Sequence, residues 1–148
     1  LLCGAFKAYS NLRRSQDNYA DGVKFAEEAY NCVAEAYDPV HPHVQSAAGL
    51  LIELNIHMGN YFDAERFASL TLGSLKDPRN KINQVSDEVA KGYYNLGNVL
   101  MELKDLDKAE KLVRESLRIR VLLYGNNYSC TGHACGLLAN ILQLQGNL

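Results

Sequence analysis

Apolar side chains recur along this chain at the three- and four-residue spacing of amphipathic helices. One apolar or small stripe comprises Tyr93, Leu96, Gly97, Leu100 and Leu103. Polar residues occupy another stripe of the same segment, namely Lys91, Asn95, Asn98 and Glu102. The following segment repeats the pattern with Ala109, Leu112, Val113, Ser116 and Leu117. Each segment therefore predicts an amphipathic helix, and no segment shows the two-residue alternation of a strand.

Charged residues on the outer side of the second segment are spaced for pairing. Glu110 lies four residues before Arg114, and Lys111 lies four residues before Glu115. Both spacings predict ion pairs on an exposed helix face.

The helical pattern repeats at long intervals. Four copies of one template begin at Tyr9, Leu51, Leu96 and Leu138, which are 42, 45 and 42 residues apart. The second position of each copy is small or aliphatic: Ser10, Ile52, Gly97 and Ala139. Another small residue, Gly22, Ala64 or Ala109, follows the turn in the first three copies. A period of this length is typical of stacked helical hairpins that touch at their small residues.

Segments rich in Pro, Gly, Asn and Asp separate the predicted hairpins. They predict hairpins near residues 2–37, 42–76 and 86–123, and an unpaired helix from about 130 to 145. One repeat domain would cover residues 1–148, with repeats at about 3–37, 45–76 and 90–123 and a partial repeat at 132–148. The predicted fold is all-α, an α-solenoid in which antiparallel helix hairpins form a right-handed superhelix.

Two phrases of the sequence resemble the tetratricopeptide repeat (TPR) family, in the 42-residue form of kinesin light chains. The helix-entry phrase matches at Asp38, Pro39, His41, Pro42 and Val44. The hairpin phrase matches at residues 59–67 and 104–112, the second with Lys104 and Leu106 in place of the usual Gly and Tyr. HEAT-type repeats have similar lengths but lack this arrangement of small residues.

Composition narrows the choice of partners. The chain has 15 basic and 17 acidic residues and a formal charge of −2, which disfavours nucleic acid, including an RNA-binding helical repeat, and an anionic membrane surface. No apolar run is long enough to span a membrane. The four cysteines lack framework spacing, so we expect reduced thiols and a cytoplasmic protein. Because the sequence begins with Leu, we expect it to be part of a longer protein.

Catalytic and metal-binding interpretations find little support. Cys130, His133 and Cys135 lie close in sequence, but their spacing is not a common zinc pattern and no second ligand pair follows. His41 and His43 flank Pro42, where the resemblance implies a helix-entry loop. We therefore expect no enzyme, no cofactor and no metal site.

The resemblance implies that the first helix of each hairpin lines a concave, peptide-binding groove. The residues expected there are Lys7, Asn11, Arg14, Leu50, Glu53, His57, Lys91, Asn95, Asn98, Glu102, Gly136, Leu137, Asn140 and Gln143. Among these, the predicted binding residues are Lys7, Asn11, Arg14, Lys91, Asn95, Asn98 and Asn140. Asn amides and Lys suit an extended peptide or short helix of another protein.

Two functional hypotheses fit this groove. The first is an adaptor or scaffold module, and the alternative is a regulatory repeat segment of a larger enzyme or signalling ATPase. Lys7, Asn11, Lys91 and Asn95 partly match the carboxylate clamp of some TPR domains. The final helix lacks a partner in its hairpin, so we expect its apolar residues to promote self-association. These are Leu137, Leu138, Ile141, Leu142 and Leu144.

Overall fold

The computed structural model describes Gly4, Ala8, Leu12 and residues 18–146. Within residues 18–146, six α-helices follow one another: α1 (Tyr19–Ala36), α2 (Pro42–His57), α3 (Tyr61–Lys76), α4 (Asp87–Glu102), α5 (Leu106–Tyr124) and α6 (Ser129–Gly146). A short 3-10 helix at Pro78–Asn80 lies between α3 and α4. The backbone is also helical at Gly4, Ala8 and Leu12, and no strand occurs in the described part of the chain. The prediction of an all-α fold is confirmed.

Local sequence explains where the helices begin and end. Pro42 occupies the first turn of α2, and the His41 imidazole accepts a hydrogen bond from the His43 amide at 3.2 Å. Gly59 and Lys104 take positive φ values of 75° and 67° in the turns after α2 and α4. In both turns the next residue's amide bonds back to the fifth carbonyl before it, Asn60 to Asn55 and Asp105 to Leu100. These are Schellman closures, which turn the chain sharply between antiparallel helices.

The chain divides into two compact units, residues 1–71 and residues 72–148. In the first, α1 and α2 bury a cluster formed by Ala26, Leu50, Leu51 and Leu54. The Tyr30 ring meets the Phe67 ring edge to face, with centroids 5.4 Å apart. The alanine on α1 lets the two helices approach closely, as small residues do at helix contacts.

In the second unit, consecutive helices α4, α5 and α6 share one apolar cluster. Its buried members are Leu100, Ala109, Val113, Leu137, Leu138 and Ile141. A Cβ built on Gly97 would lie 2.5 Å from Val113 Cγ2 and 3.4 Å from the Ala109 carbonyl oxygen. The small residues at these two positions therefore allow α4 and α5 to touch, as the sequence predicts.

The apolar side of α6 is less exposed than the sequence predicts. Leu137, Leu138 and Ile141 are buried, because α4 and α5 cover one side of the helix. The expected exposed face is therefore wrong for these three residues. Leu142 is exposed, as expected.

One of the two predicted ion pairs of α5 has a different partner. Glu110 pairs with Arg114 at 2.9 Å, as the helical spacing predicts. Glu115 pairs with Arg118 at 2.5 Å and not with Lys111. Arg118 lies three residues after Glu115, which is also a neighbouring position on a helix surface.

The expected reduced state of the cysteines holds for only some of them. Cys32 is disulfide-bonded, whereas Cys130 and Cys135 are free thiols. The expectation is therefore wrong for Cys32, because a bridge depends on the distance between two thiols in space and not on their spacing along the sequence.

Candidate functional site

Helix α4 supplies the polar face on which the candidate site rests. Ser86 caps the helix by accepting a hydrogen bond from the Val89 amide at 3.4 Å, and Asp87 and Glu88 place negative charge in its first turn. Both features favour a helix start at this point. The apolar face of the helix is buried and includes Val89, Ala90, Val99 and Leu100. The opposite face carries polar residues.

Lys91, Asn95, Asn98 and Glu102 share that opposite face, as their three- and four-residue spacing requires. Lys91 is exposed, and its ammonium lies 3.0 Å from the Asp87 carboxylate. Asn95, Asn98 and Glu102 are half-buried. Neither asparagine amide hydrogen-bonds to another described residue. These two amides therefore keep their hydrogen-bonding capacity for a ligand or water.

Helix α6 contributes a second polar stripe in the same unit. Asn140 is exposed, and so are Gly136 and Gln143 on its face. Leu137 was expected beside them but is only 6% exposed and packs in the cluster with Leu100. That expectation is wrong because Leu137, the residue after Gly136, points away from the polar face and into the apolar cluster.

The first unit also contains candidate residues. Three of them, Lys7, Asn11 and Arg14, lie outside the described residues. On α2, Glu53 and His57 are exposed as expected, and the His57 ring stacks on Tyr19 with centroids 4.9 Å apart. Leu50 was also expected in the groove, but it is 7% exposed and belongs to the α1–α2 cluster. The exposed face of α2 ends where the neighbouring helix α1 packs against it, and the repeat pattern in the sequence does not show where that contact begins.

The histidines and cysteines considered as metal ligands lie among the described residues. No group of three or more His, Cys, Asp or Glu side chains there could hold a metal ion. His133 and Cys135 are exposed on α6. His41 serves as the N-cap of α2, which agrees with a helix-entry role. No helix among the described residues is long and apolar enough to cross a membrane.

Sequence reasoning missed one buried charged side chain. Arg120 on α5 is only 5% exposed. Its Nη1 donates a hydrogen bond to the Cys130 carbonyl oxygen at 2.7 Å, and its guanidinium carbon lies 5.0 Å from the centroid of the Tyr94 ring. Charged side chains are expected outside, so only the break in the polar pattern of α5 could have indicated its burial.

Tyr124 lies one helical turn beyond Arg120 and stacks on Tyr128, with ring centroids 4.8 Å apart. Desolvation and the nearby Asp87 carboxylate raise the pKa of Tyr124. The end of α5 therefore meets the beginning of α4 near Asp87 and Lys91.

Comparison with known proteins finds a family model that matches the second unit. Residues 88–148, which include nearly all of α4 and the whole of α5 and α6, match the family model for the tetratricopeptide repeat. Residues 88–148 are therefore similar to tetratricopeptide repeats. The match covers the segment that carries the α4 and α6 polar stripes.

Solved TPR structures share this fold across the chain. A Podosopora anserina protein designated a kinesin light chain, with nearly identical TPR-like repeats, has a TM-score of 0.84 at 11% identity and covers 96% of this chain and 66% of its own. BtubC (BKLC) from P. vanneervenii has a TM-score of 0.82 at 20% identity, over 98% of this chain and 57% of its own. The first TPR of Spaghetti (RPAP3), bound to the HSP90 peptide SRMEEVD, has a TM-score of 0.67 at 17% identity, over 98% of this chain and 94% of its own.

At these identities the likeness establishes the fold alone, an all-α solenoid of helical hairpins. This chain spans less than two thirds of the two kinesin-light-chain-like structures, 66% and 57% of their lengths. No curated protein sequence matches it.

Proposed function

We propose that this chain is a protein-interaction module, an adaptor or scaffold, that binds a peptide or short helix of another protein. The proposed contact surface in the second unit is the polar face of α4 together with the polar stripe of α6. Its binding residues are Lys91, Asn95, Asn98 and Asn140. Lys7, Asn11 and Arg14 remain proposed binding residues of the first repeat.

The unsatisfied amides of Asn95 and Asn98 carry this proposal. An asparagine amide donates through its nitrogen and accepts through its oxygen, so it can pair with a peptide backbone of any sequence. Half-burial holds these two side chains more firmly than a freely exposed asparagine. Lys91 adds a cation that an acidic group of the partner can share with Asp87. The RPAP3 repeat domain holds a peptide, and this precedent supports peptide binding by the same fold.

The double variant Lys91→Ala with Asn95→Ala tests the surface. The intact chain is immobilised, captured proteins are identified by mass spectrometry, and the partner is then titrated against each purified variant. Removing one charged hydrogen bond weakens binding by about 1.5 to 3 kcal/mol. We therefore expect the double variant to lose the partner while its helicity and thermal midpoint stay close to those of the parent.

Arg114→Glu is the matched control, because Arg114 is exposed on α5 and forms its ion pair with Glu110 on the same helix. It should retain the partner. If Arg114→Glu abolishes capture while the double variant binds normally, the interaction surface lies on the outer helices and the proposed site is wrong.

A further inference from the structure

Helix α4 shows how one face of a repeat helix is covered in the second unit. The Ser116 hydroxyl of α5 donates a hydrogen bond to the Ala90 carbonyl oxygen at 2.7 Å. Gly97 lies against Val113 of α5. Leu100 packs in the same apolar cluster as Val113 and is only 7% exposed. Helix α5 therefore covers the face of α4 on which Ala90, Gly97 and Leu100 lie.

The equivalent face of α6 is not covered by any helix in the described part of the chain. The template copies of α4 and α6 begin 42 residues apart, so position 97 of α4 corresponds to position 139 of α6. The counterparts of the three covered residues are all exposed: Gly132, Ala139 and Leu142. Leu142 is 41% exposed, and a Cβ built on Gly132 meets no atom within 4 Å. Since this face takes a helix on α4, its counterpart on α6 has the shape to take one.

The exposed face of α6 also has the spacing of a seam between two paired helices. Its exposed members follow one another in steps of three and four residues: Gly132, Cys135, Ala139, Leu142 and Gly146. Such steps keep one seam turned towards a second helix over several turns. Four of the five residues are small, so the backbone of the second helix can approach closely.

This seam fits an antiparallel copy of itself. In one register Leu142 faces Gly132 of the second copy, and Cys135 faces Ala139 of the second copy. Both pairs are centred on position 137, so a single two-fold axis produces both, with the same patch on each subunit. Each pair joins a larger side chain to a smaller residue, which keeps the volume between the helices even. The opposed helix dipoles also favour the antiparallel direction.

The charge distribution favours a second copy over the helix of a different protein. Helix α6 contains no Asp, Glu, Lys or Arg, whereas each of the other five helices between residues 18 and 146 contains at least one. Charges beside a seam usually fix which two helices pair, because unlike charges attract and like charges repel. With none on α6, nothing selects a charged partner helix, and two copies meet without repulsion.

We propose that α6 pairs with α6 of a second copy of this chain in antiparallel orientation, through Gly132, Cys135, Ala139 and Leu142, and so forms a symmetric dimer. Asn140 lies about 100° around the helix from Ala139, so the polar stripe of α6 stays beside the seam and outside it. The dimer therefore carries two copies of the proposed contact surface. A partner with two binding segments gains affinity from such a pair, because its second segment binds at a high effective concentration.

Sedimentation equilibrium of the full chain tests the dimer. The mass should rise from 16.5 kDa towards twice that value as the concentration of the chain increases. Ala139→Glu places a carboxylate without a counter-ion in the seam of each copy, which is unfavourable. We expect its dissociation constant to be higher by about tenfold or more. A parent chain whose mass stays at 16.5 kDa at millimolar concentration overturns the proposal.

His133→Glu is the matched control. His133 is exposed on the same helix but lies about 120° around it from Ala139, so this variant should dimerise as the parent does. Thermal unfolding checks that both variants are folded. Equal dissociation constants for Ala139→Glu and the parent contradict the proposed seam.

Cross-linking tests the direction and register of the two helices. Ala139→Cys brings a new thiol opposite the native Cys135 of the second copy, and a disulfide forms only between cysteines that lie close together. Mild oxidation should therefore give a covalent dimer joined between positions 139 and 135, as peptide mapping would show. Adding Cys135→Ser should abolish it. A covalent dimer of the parent joined through Cys135 of both copies indicates parallel helices and overturns the antiparallel arrangement.

A synthetic peptide of residues 106–124 tests the other possible occupant, because α5 covers the equivalent face of α4. If the chain stays monomeric, and this peptide binds to the parent but not to Ala139→Glu, the face takes a helix of a different protein and the dimer is wrong. The dimer does not depend on the proposed contact surface. Lys91→Ala with Asn95→Ala should dimerise as the parent does, so each proposal can fail without the other.

Discussion

Lys104 adopts a backbone conformation that disfavours a side chain. Its φ of 67° is close to the 75° of Gly59, which holds the equivalent place in the preceding hairpin turn. Left-handed geometry costs an L-residue roughly 1 to 2 kcal/mol, whereas glycine tolerates it. The two turns use the same hydrogen bonds, so the difference between them is confined to this residue.

Exchanging the two residue types tests this cost. Lys104→Gly should stabilise the chain by about 1 kcal/mol, and Gly59→Ala should destabilise it by a similar amount. A Cβ at Gly59 meets no atom within 4 Å, so its effect reports the backbone alone. Chemical denaturation of both variants gives the comparison. A destabilising Lys104→Gly would mean that the lysine side chain contributes more than its strained backbone costs.

Gly97 is restricted by space instead of backbone angle. An added methyl group would overlap Val113 Cγ2 at 2.5 Å, so α4 and α5 would have to separate. Overpacking of this kind costs about 1 to 3 kcal/mol. Gly97→Ala should lower the denaturation midpoint accordingly. Gly49→Ala is the control, because Gly49 lies inside α2 with nothing within 4 Å, and alanine there should be neutral or stabilising through helix propensity.

At the scale of elements, α6 packs against the rest of its unit through one side of the helix. Ile141 is fully buried, whereas the adjacent Leu142 is 41% exposed. Ile141→Ala should cost about 2 to 5 kcal/mol because it leaves a cavity, and Leu142→Ala should cost far less. Denaturation followed by circular dichroism measures both. Similar losses for the two neighbours would show that α6 packs in another orientation.

The contact between α5 and α6 also has a polar part that responds to pH. The Arg114 guanidinium and then the Gln145 amide hold the pKa of Glu110 below its ordinary value through hydrogen bonds. A carboxyl group with a lowered folded-state pKa contributes stability above its unfolded pKa, and loses it as the pH falls through the folded one. Glu110→Gln should therefore flatten the loss of thermal stability between neutral and acidic pH. An unchanged acid profile would show that Glu110 is not a source of this dependence.

At the scale of the whole molecule, the sequence predicts the elements far better than their surfaces. Pro42 and Gly59 mark the start and the end of α2 through their own backbone chemistry, so the local sequence predicts the bounds of this helix. The local sequence does not predict the burial of Leu50 and Leu137, because burial at the edge of a helix face depends on the neighbouring helix. Arg120 was missed for the same reason, since its burial needs the Tyr94 ring and the start of α6.

The predicted binding residues were likewise only partly predictable from the sequence. Periodicity alone assigns Lys91, Asn95 and Asn98 to one face of α4. It does not reveal that the two asparagine amides lack internal partners, because that fact depends on every side chain around them. Ion pairs are also only partly predictable. Helical spacing predicts that Glu115 pairs with Lys111, but in the structure Glu115 pairs with Arg118.

The apolar cluster of the second unit is built from three successive helices, α4, α5 and α6. Each helix thus finds its packing partner as soon as the next one has been synthesised. Low contact order of this kind favours fast folding, and domains form progressively as a nascent chain leaves the ribosome. We expect the α4–α5 hairpin to be protected from proteases before α6 has emerged. Arrest of translation at successive lengths after residue 124 would reveal this order of assembly.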